Sequence, residues 1–184
     1  NAFSEVMWFY PIGEGNTEVT NYVSYNYAED LWSVGTLDRG AWQGVGTQNF
    51  PMATSVNGGA STANYLYYHE NGFDDDGSAM NAFVESGDLE LQEGERFMLV
   101  SRIIPDFAFS GLTSDASISM TMKGSDFPLE TPTTLSTSTI TNSSTQSFIR
   151  ARSRHQVVRI ESSGLGYGWR LGDLRFDMRP DGRR

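Results

Sequence analysis

Three adjacent carboxylates ahead of a glycine, Asp74-Asp75-Asp76-Gly77, form the sharpest local cluster of chemistry-bearing side chains in this chain. Hard cations take several oxygen ligands, and such a run offers part of a shell. The run lacks the alternating ligand positions and closing Glu of an EF-hand loop, and Asp and Gly are also what a hairpin tip requires. The segment therefore reads as a turn before it reads as a cation-binding loop. Cysteine is absent and His69 and His155 are the only histidines, so thiolate and His-rich metal centres are excluded and no cofactor is expected.

A second pattern is Arg150, Arg152 and Arg154. Alternate residues of a strand share a face, so the three arginines form a line of positive charge if the segment is extended. Such a line meets a phosphate backbone without reading sequence, pairs with an acidic neighbouring subunit, or guards a strand edge. The subunit contact ranks first, because the chain carries its own complementary charge in excess. Residues 1–144 hold 19 acids and 4 bases, whereas residues 145–184 hold 4 acids and 9 arginines, within a total of −10. That total argues against DNA binding in the affinity sense.

Enzyme chemistry finds little purchase. Glycoside hydrolysis needs two opposed carboxylates, one with a raised pKa. Glu70, Glu85, Asp88 and Asp106 sit near strand ends, yet no pair is singled out. There is no Gly-x-Ser-x-Gly elbow, and Gly164-Leu165-Gly166-Tyr167-Gly168 lacks both a P-loop lysine and a following helix, so it reads as a turn. The aromatic set Trp8, Tyr10, Tyr22, Tyr25, Tyr27, Trp32 and Trp42 would suit a carbohydrate-stacking platform, but strand-borne aromatics more often fill a core, and core is the expectation.

The elements that position these residues are strands. Helix periodicity is nearly absent, while aromatic and β-branched alternation recurs between Gly, Asn and Asp turns. Tyr22–Tyr27 leads through Ala28-Glu29-Asp30 into Leu31–Gly35, a predicted hairpin. Forty-three residues on, Tyr65–Glu70 followed by Ala82–Gly87 echoes it, near the blade length of a β-propeller. Further strands are expected at Arg96–Ile104, Ile118–Met122, Phe148–Arg154, Gln156–Glu161 and Gly168–Met178. The Thr/Ser-rich stretch Leu129–Ser147 reads either as a linker or as an exposed edge strand. The fold expected is all-β: propeller-like blades over residues 1–92, then a sandwich-like or propeller-closing unit over 93–184. No run of 18 apolar residues is present to span a membrane as a helix. The chain opens on Asn1, with Phe3–Tyr10 already strand-like, so a larger N-terminal part is expected to precede it.

An ordered set of segments resembles the C-terminal region of the nozzle, or tail tubular, proteins of short-tailed phages, also labelled DNA-stabilisation proteins. The set comprises Trp8-Phe9-Tyr10-Pro11, the Tyr22–Gly35 hairpin, His69-Glu70 with the Asp-rich loop, and Glu85-Ser86-Gly87-Asp88. It continues with Arg102-Ile103-Ile104-Pro105-Asp106-Phe107, Arg159-Ile160-Glu161-Ser162 and the Trp169–Arg184 ending. The resemblance runs from about Glu5 to Arg184, although nozzle proteins are usually several times longer. It implies a non-enzymatic virion protein, assembled in the host cytoplasm into a six-fold ring with a β-propeller body. Its partners would be tail adaptor or portal-side proteins, tail fibres or spikes, and duplex DNA passing through the lumen. An acidic lumen repels DNA, so the duplex slides instead of sticking. The runner-up is a carbohydrate-binding, receptor-recognising tail domain, which requires the aromatics exposed in a groove. A weaker alternative is a propeller glycosidase, which requires two carboxylates facing each other across a pocket.

Overall fold

The computed structural model describes residues 4–55, 65–92, 94–111 and 116–182. Eighteen strands and no helix occur among them, so the protein is all-β. No helix of the described residues is long and apolar enough to cross a membrane. Two compact units divide between Asn71 and Gly72. The boundary expected at 92/93 falls inside the second unit, because the strands of residues 72–92 pair there.

The first unit carries two three-stranded antiparallel meanders. β1 (Glu5–Tyr10), β2 (Asn21–Asn26) and β3 (Leu31–Thr36) form one, in the order β1-β2-β3. The expected hairpin is β2–β3, in register from Asn21↔Thr36 to Asn26↔Leu31. Its turn is closed by the Asn26 side chain, which accepts the Ala28 and Glu29 N–H groups, and by Asp30 at φ 56°. β4 (Trp42–Gln43), β5 (Met52–Thr54) and β6 (Leu66–Tyr68) form the other.

The second hairpin read from the sequence does not form. Tyr65–Glu70 supplies β6, which pairs with β5, and Ala82–Gly87 supplies a strand of the second unit. Between them β7 (Asp74–Asp75) and β8 (Ser78–Ala79) close on each other. Asp76 and Gly77 both hold positive φ (51° and 81°), the geometry of a tight two-residue hairpin loop, so this local turn wins over a longer closure. The 43-residue echo is therefore not a repeated hairpin.

The second unit continues with β9 (Ala82–Glu85), β10 (Leu89–Glu90), β11 (Met98–Ile104), β12 (Phe107–Gly111), β13 (Ser117–Ser125), β14 (Thr133–Thr141), β15 (Ser147–Ser153), β16 (His155–Ser162), β17 (Tyr167–Leu171) and β18 (Arg175–Pro180). One sheet has the order β10-β16-β13-β14, with β9 also on β16; another is β15-β11-β18. Both feed one core. Met98, Val100 and Ile103 come from β11, Ile118, Met120 and Met122 from β13, and Ile140, Ile149, Ala151, Val158 and Ile160 from β14, β15 and β16. The alternation that builds it is plain in Ser147–Ser153, where burial switches at every residue.

The Thr/Ser-rich stretch forms edge strand β14, not a linker. The expected single strand Gly168–Met178 is two, broken at Gly172-Asp173-Leu174, because a corner is turned there. β12 pairs β17 and β11 pairs β18, so the two pairs make one ribbon bent at Pro105-Asp106. Asp106 pins the bend: its carbonyl accepts the Gly172 N–H at 2.8 Å and its carboxylate the Asp173 N–H at 3.3 Å. A side chain at Gly172 would strike that carboxylate. Arg183 and Arg184 of the Trp169–Arg184 ending lie outside the described residues.

Candidate functional site

An apolar surface lies on the outer face of the β1-β2-β3 meander. In Glu5–Tyr10 the odd residues are partly buried and the even ones exposed. Register then aligns two cross-strand rows, Val6–Tyr25–Trp32 and Trp8–Val23–Val34. Every member of both rows is apolar or aromatic. Trp8 is 48 % exposed, Trp32 64 % and Val34 76 %. A contiguous apolar patch rimmed by polar residues marks an interaction site, because leaving it in water is unfavourable.

The aromatic set thus splits, and its expected place in a core is corrected for most of it. Phe9, Tyr22 and Trp42 make the inward contacts, with ring centroids 6.1 Å (Phe9–Tyr22) and 5.6 Å (Phe9–Trp42) apart. Gly35 stands opposite Tyr22 because any side chain there would occupy the Tyr22 ring. Trp8, Tyr10, Tyr27 and Trp32 are exposed, and Trp42, despite its contact with Phe9, is 37 % exposed as well. Trp32 stacks on Tyr25 at 4.6 Å and on Trp8 at 6.0 Å. The surface these rings share is a sheet face, not a groove. The Tyr25 hydroxyl donates to Asp30 at 2.9 Å, which together with burial raises its pKa.

The arginine row is placed in two parts. Phe148, Arg150 and Arg152 share the outer face of β15, whereas Arg154 lies beyond the strand end, in the turn before β16. Arg152 donates to Asp181 at 2.6 Å and lies 4.0 Å over the Phe97 ring, with Arg154 at 5.1 Å from the same ring. Arg175, Asp177 and Arg179 of β18 share a face by the same alternation. Between the two edge strands, Arg102 on β11 pairs with Asp177 at 2.6 Å. Sequence spacing found Arg150, Arg152 and Arg154; it could not find Arg179, which register sets in one row with Arg152 across Leu99, or Arg102, opposite Phe148.

Asp74, Asp75 and Asp76 are exposed at the β7–β8 tip. Asp74 and Asp75 point to opposite faces of β7, and Asp76 belongs to the turn at φ 51°. No group of three or more acidic or histidine side chains is disposed to hold a metal among the described residues.

The four carboxylates weighed for hydrolysis are scattered. Asp106 serves the ribbon bend, and Asp88 is exposed between β9 and β10. Glu70, at φ 57°, lines a hollow of about 290 Å³ in the first unit together with Glu5, Phe9 and Trp42. Burial, and then the charge of Glu70, raise the Glu5 pKa. Glu85 behaves oppositely. Hydrogen bonds from Lys123 (2.7 Å) and Arg159 (3.2 Å) lower its pKa, which disqualifies it as a general acid near neutrality.

Glu85 belongs to a network that residue types alone did not reveal. Arg159 also donates to Glu161 at 2.8 Å and stacks 4.1 Å over Phe83. Two cross-strand rows carry it on the outer face of the large sheet: Glu85–Arg159–Thr121–Thr137 and Phe83–Glu161–Ser119–Thr139. The only sequence signal was Arg159-Ile160-Glu161, which places both charges on one face.

No family model matches the chain, and no curated protein matches it. The described residues present an exposed apolar sheet face in one unit and an arginine-bearing sheet face in the other.

Proposed function

We propose that the chain is a structural, non-enzymatic subunit of a phage tail nozzle, part of the conduit through which the genome leaves. The observation that carries the proposal is the exposed Val6–Tyr25–Trp32 and Trp8–Val23–Val34 face, which needs a protein partner to leave water. The Arg150-bearing face gives a second surface of opposite character. Unlike surfaces on one chain make heterologous, head-to-tail contacts, and these generate rings when the rotation closes.

Two further features support the reading. The segments Arg102–Phe107 and Trp169–Asp181, which carry much of the resemblance, are partners in a single bent ribbon, so the ordered set describes one folded object. The three-stranded meanders of the first unit have the up-and-down form of propeller blades, one strand short of the usual four. The second unit, with one core between two sheets, is sandwich-like. The virion tail is then the protein's location, with adaptor, fibre or spike proteins and passing DNA as neighbours.

The experiment is mass photometry with class averages from electron microscopy on the purified protein. A closed ring with an opening of about 20 Å or more, wide enough for duplex DNA, is expected. A monomer, or an assembly with no hole, overturns the nozzle reading.

A further inference from the structure

The outer face of the large sheet holds a concavity of about 560 Å³, above the row Phe83–Glu161–Ser119–Thr139 and walled by Asn81 and Ser162. Its size falls within the range of small-ligand sites, roughly 300–1,000 Å³. We propose that this concavity binds a neutral oligosaccharide, independently of whether the chain is a nozzle subunit.

Charge sets the ligand class first. The local ions are Lys123, Arg159, Glu85 and Glu161, two of each sign and paired at 2.7 to 3.2 Å. A site whose charges cancel internally offers little to a phosphate, a sulfate or a metal ion. It still offers directed hydrogen bonds. Arg159 occupies Oε2 of Glu161, which fixes the carboxylate and leaves its other oxygen to accept hydroxyl protons. Ser119 and Thr139 add hydroxyls that donate and accept alike. Sugars present both functions at every hydroxyl.

Phe83 supplies the apolar half. One ring face lies on the Arg159 guanidinium, and the residue remains 61 % exposed. A pyranose carries a C–H face that covers such a ring while its rim hydroxyls meet Ser119, Thr139 and the Glu161 carboxylate. Side chains held by strands and by ion pairs are already oriented, which lowers the ordering cost of binding. The stacked aromatics of the first unit lack these polar neighbours.

The test is isothermal titration of the purified protein with maltohexaose, cellohexaose, chitohexaose and a neutral bacterial O-polysaccharide, with inorganic phosphate alongside. At least one saccharide is expected to bind with a Kd of about 1 mM or tighter. Phe83→Ala and Glu161→Gln are each expected to weaken it about tenfold or more, with circular dichroism unchanged because Phe83 lies at the surface. Trp8→Ser should leave it intact. Absence of saturable binding by every saccharide overturns the proposal, as does binding of phosphate alone. Binding that survives Phe83→Ala but falls with Trp8→Ser places the sugar on the other unit and overturns it equally. Ring formation plays no part in these readings, so they fail or stand apart from the nozzle proposal.

Discussion

The Gln156 side-chain amide donates to the Met98 carbonyl at 2.8 Å and to the Ala151 carbonyl at 3.2 Å, from a position with no solvent exposure. Gln156 is the second residue of β16 in the large sheet, while Met98 and Ala151 belong to β11 and β15 of the other. One side chain thus ties two sheets across their shared core. Its Oε1 has no protein partner, so the amide bears a desolvation cost that its two donated bonds offset. Replacing Gln156 by Leu removes both bonds. A loss of about 1–3 kcal/mol is expected. Urea denaturation should show it as a lower midpoint with unchanged slope; an unchanged midpoint would mean the clamp contributes nothing.

Trp8 and Trp32 separate stability from association. Both lie on the exposed face, so Trp8→Ser with Trp32→Ser removes little buried area from the folded chain. We expect the melting temperature to move by no more than a few degrees, since surface changes usually fall within about 0.5 kcal/mol each. Assembly, in contrast, should fall by an order of magnitude or more, because large aromatics dominate interface energetics. Mass photometry across a dilution series reads this directly. A variant that assembles like the parent would release the face from the proposed role.

Glu5-Val6-Met7-Trp8-Phe9-Tyr10 shows why the sequence misplaced these aromatics. Apolar residues fall on both faces of the run, the signature of a strand buried on two sides. The fold covers only the Met7 and Phe9 face. Alternation elsewhere was legible, as in Ile118–Met122 and Ser147–Ser153, and so was the β2–β3 hairpin, whose turn residues lie beside its strands. The pairing of β9 with β16, Glu85 opposite Arg159 across 74 residues, was not. Local propensity does not encode which distant strand an edge will find. The same holds for Arg102 beside Asp177, a meeting of segments 75 residues apart. The Asp74–Asp76 loop was legible as a turn because Asp-Gly at a hairpin tip is a local signal.

That loop gives a simple measurement. Asp74 and Asp75 face opposite sides and no three carboxylates among the described residues converge, so calcium added in millimolar excess is expected to leave the melting temperature unchanged. Gly77→Ala, at φ 81°, should cost about 1 kcal/mol through backbone strain. A calcium-dependent rise that Asp75→Asn abolishes would restore the cation-binding reading.

Arg150 and Arg152 answer different questions. Arg152 is held by Asp181 and Phe97, so Arg152→Glu places a carboxylate beside Asp181 and disturbs the fold as well as any contact. Arg150 sits two residues away on the same strand face and makes no side-chain ion pair among the described residues. Arg150→Glu is therefore the cleaner probe. Assembly of this variant should weaken and lose part of its salt sensitivity, since attraction between exposed charges is screened within about 8–10 Å at physiological salt. Equal assembly at low and high salt, in parent and variant alike, would remove Arg150 from the contact.

Glu5 and Glu85 should respond to pH with opposite signs. The Glu5 pKa is raised from 4.5 by burial and by Glu70, so the folded chain binds more protons than the unfolded one just above that value. Stability from this group is complete below the unfolded pKa and is lost as pH rises through the folded pKa. The Glu85 pKa is lowered from 4.5 by Lys123 and Arg159, so its contribution is present above the unfolded pKa and is lost as pH falls through the folded one. Glu5→Gln should raise the melting temperature at about pH 7 and leave it unchanged at about pH 3, where the native side chain is already neutral. Glu85→Gln should lower it at about pH 7, by an amount that shrinks as pH falls through the folded pKa. Both are modest effects, because the side chains are partly exposed and solvent screens them. Calorimetry on the parent and the two variants at both pH values checks the pair together. Shifts of the same sign at neutral pH would mean that burial at Glu5 or ion pairing at Glu85 does not govern the titration.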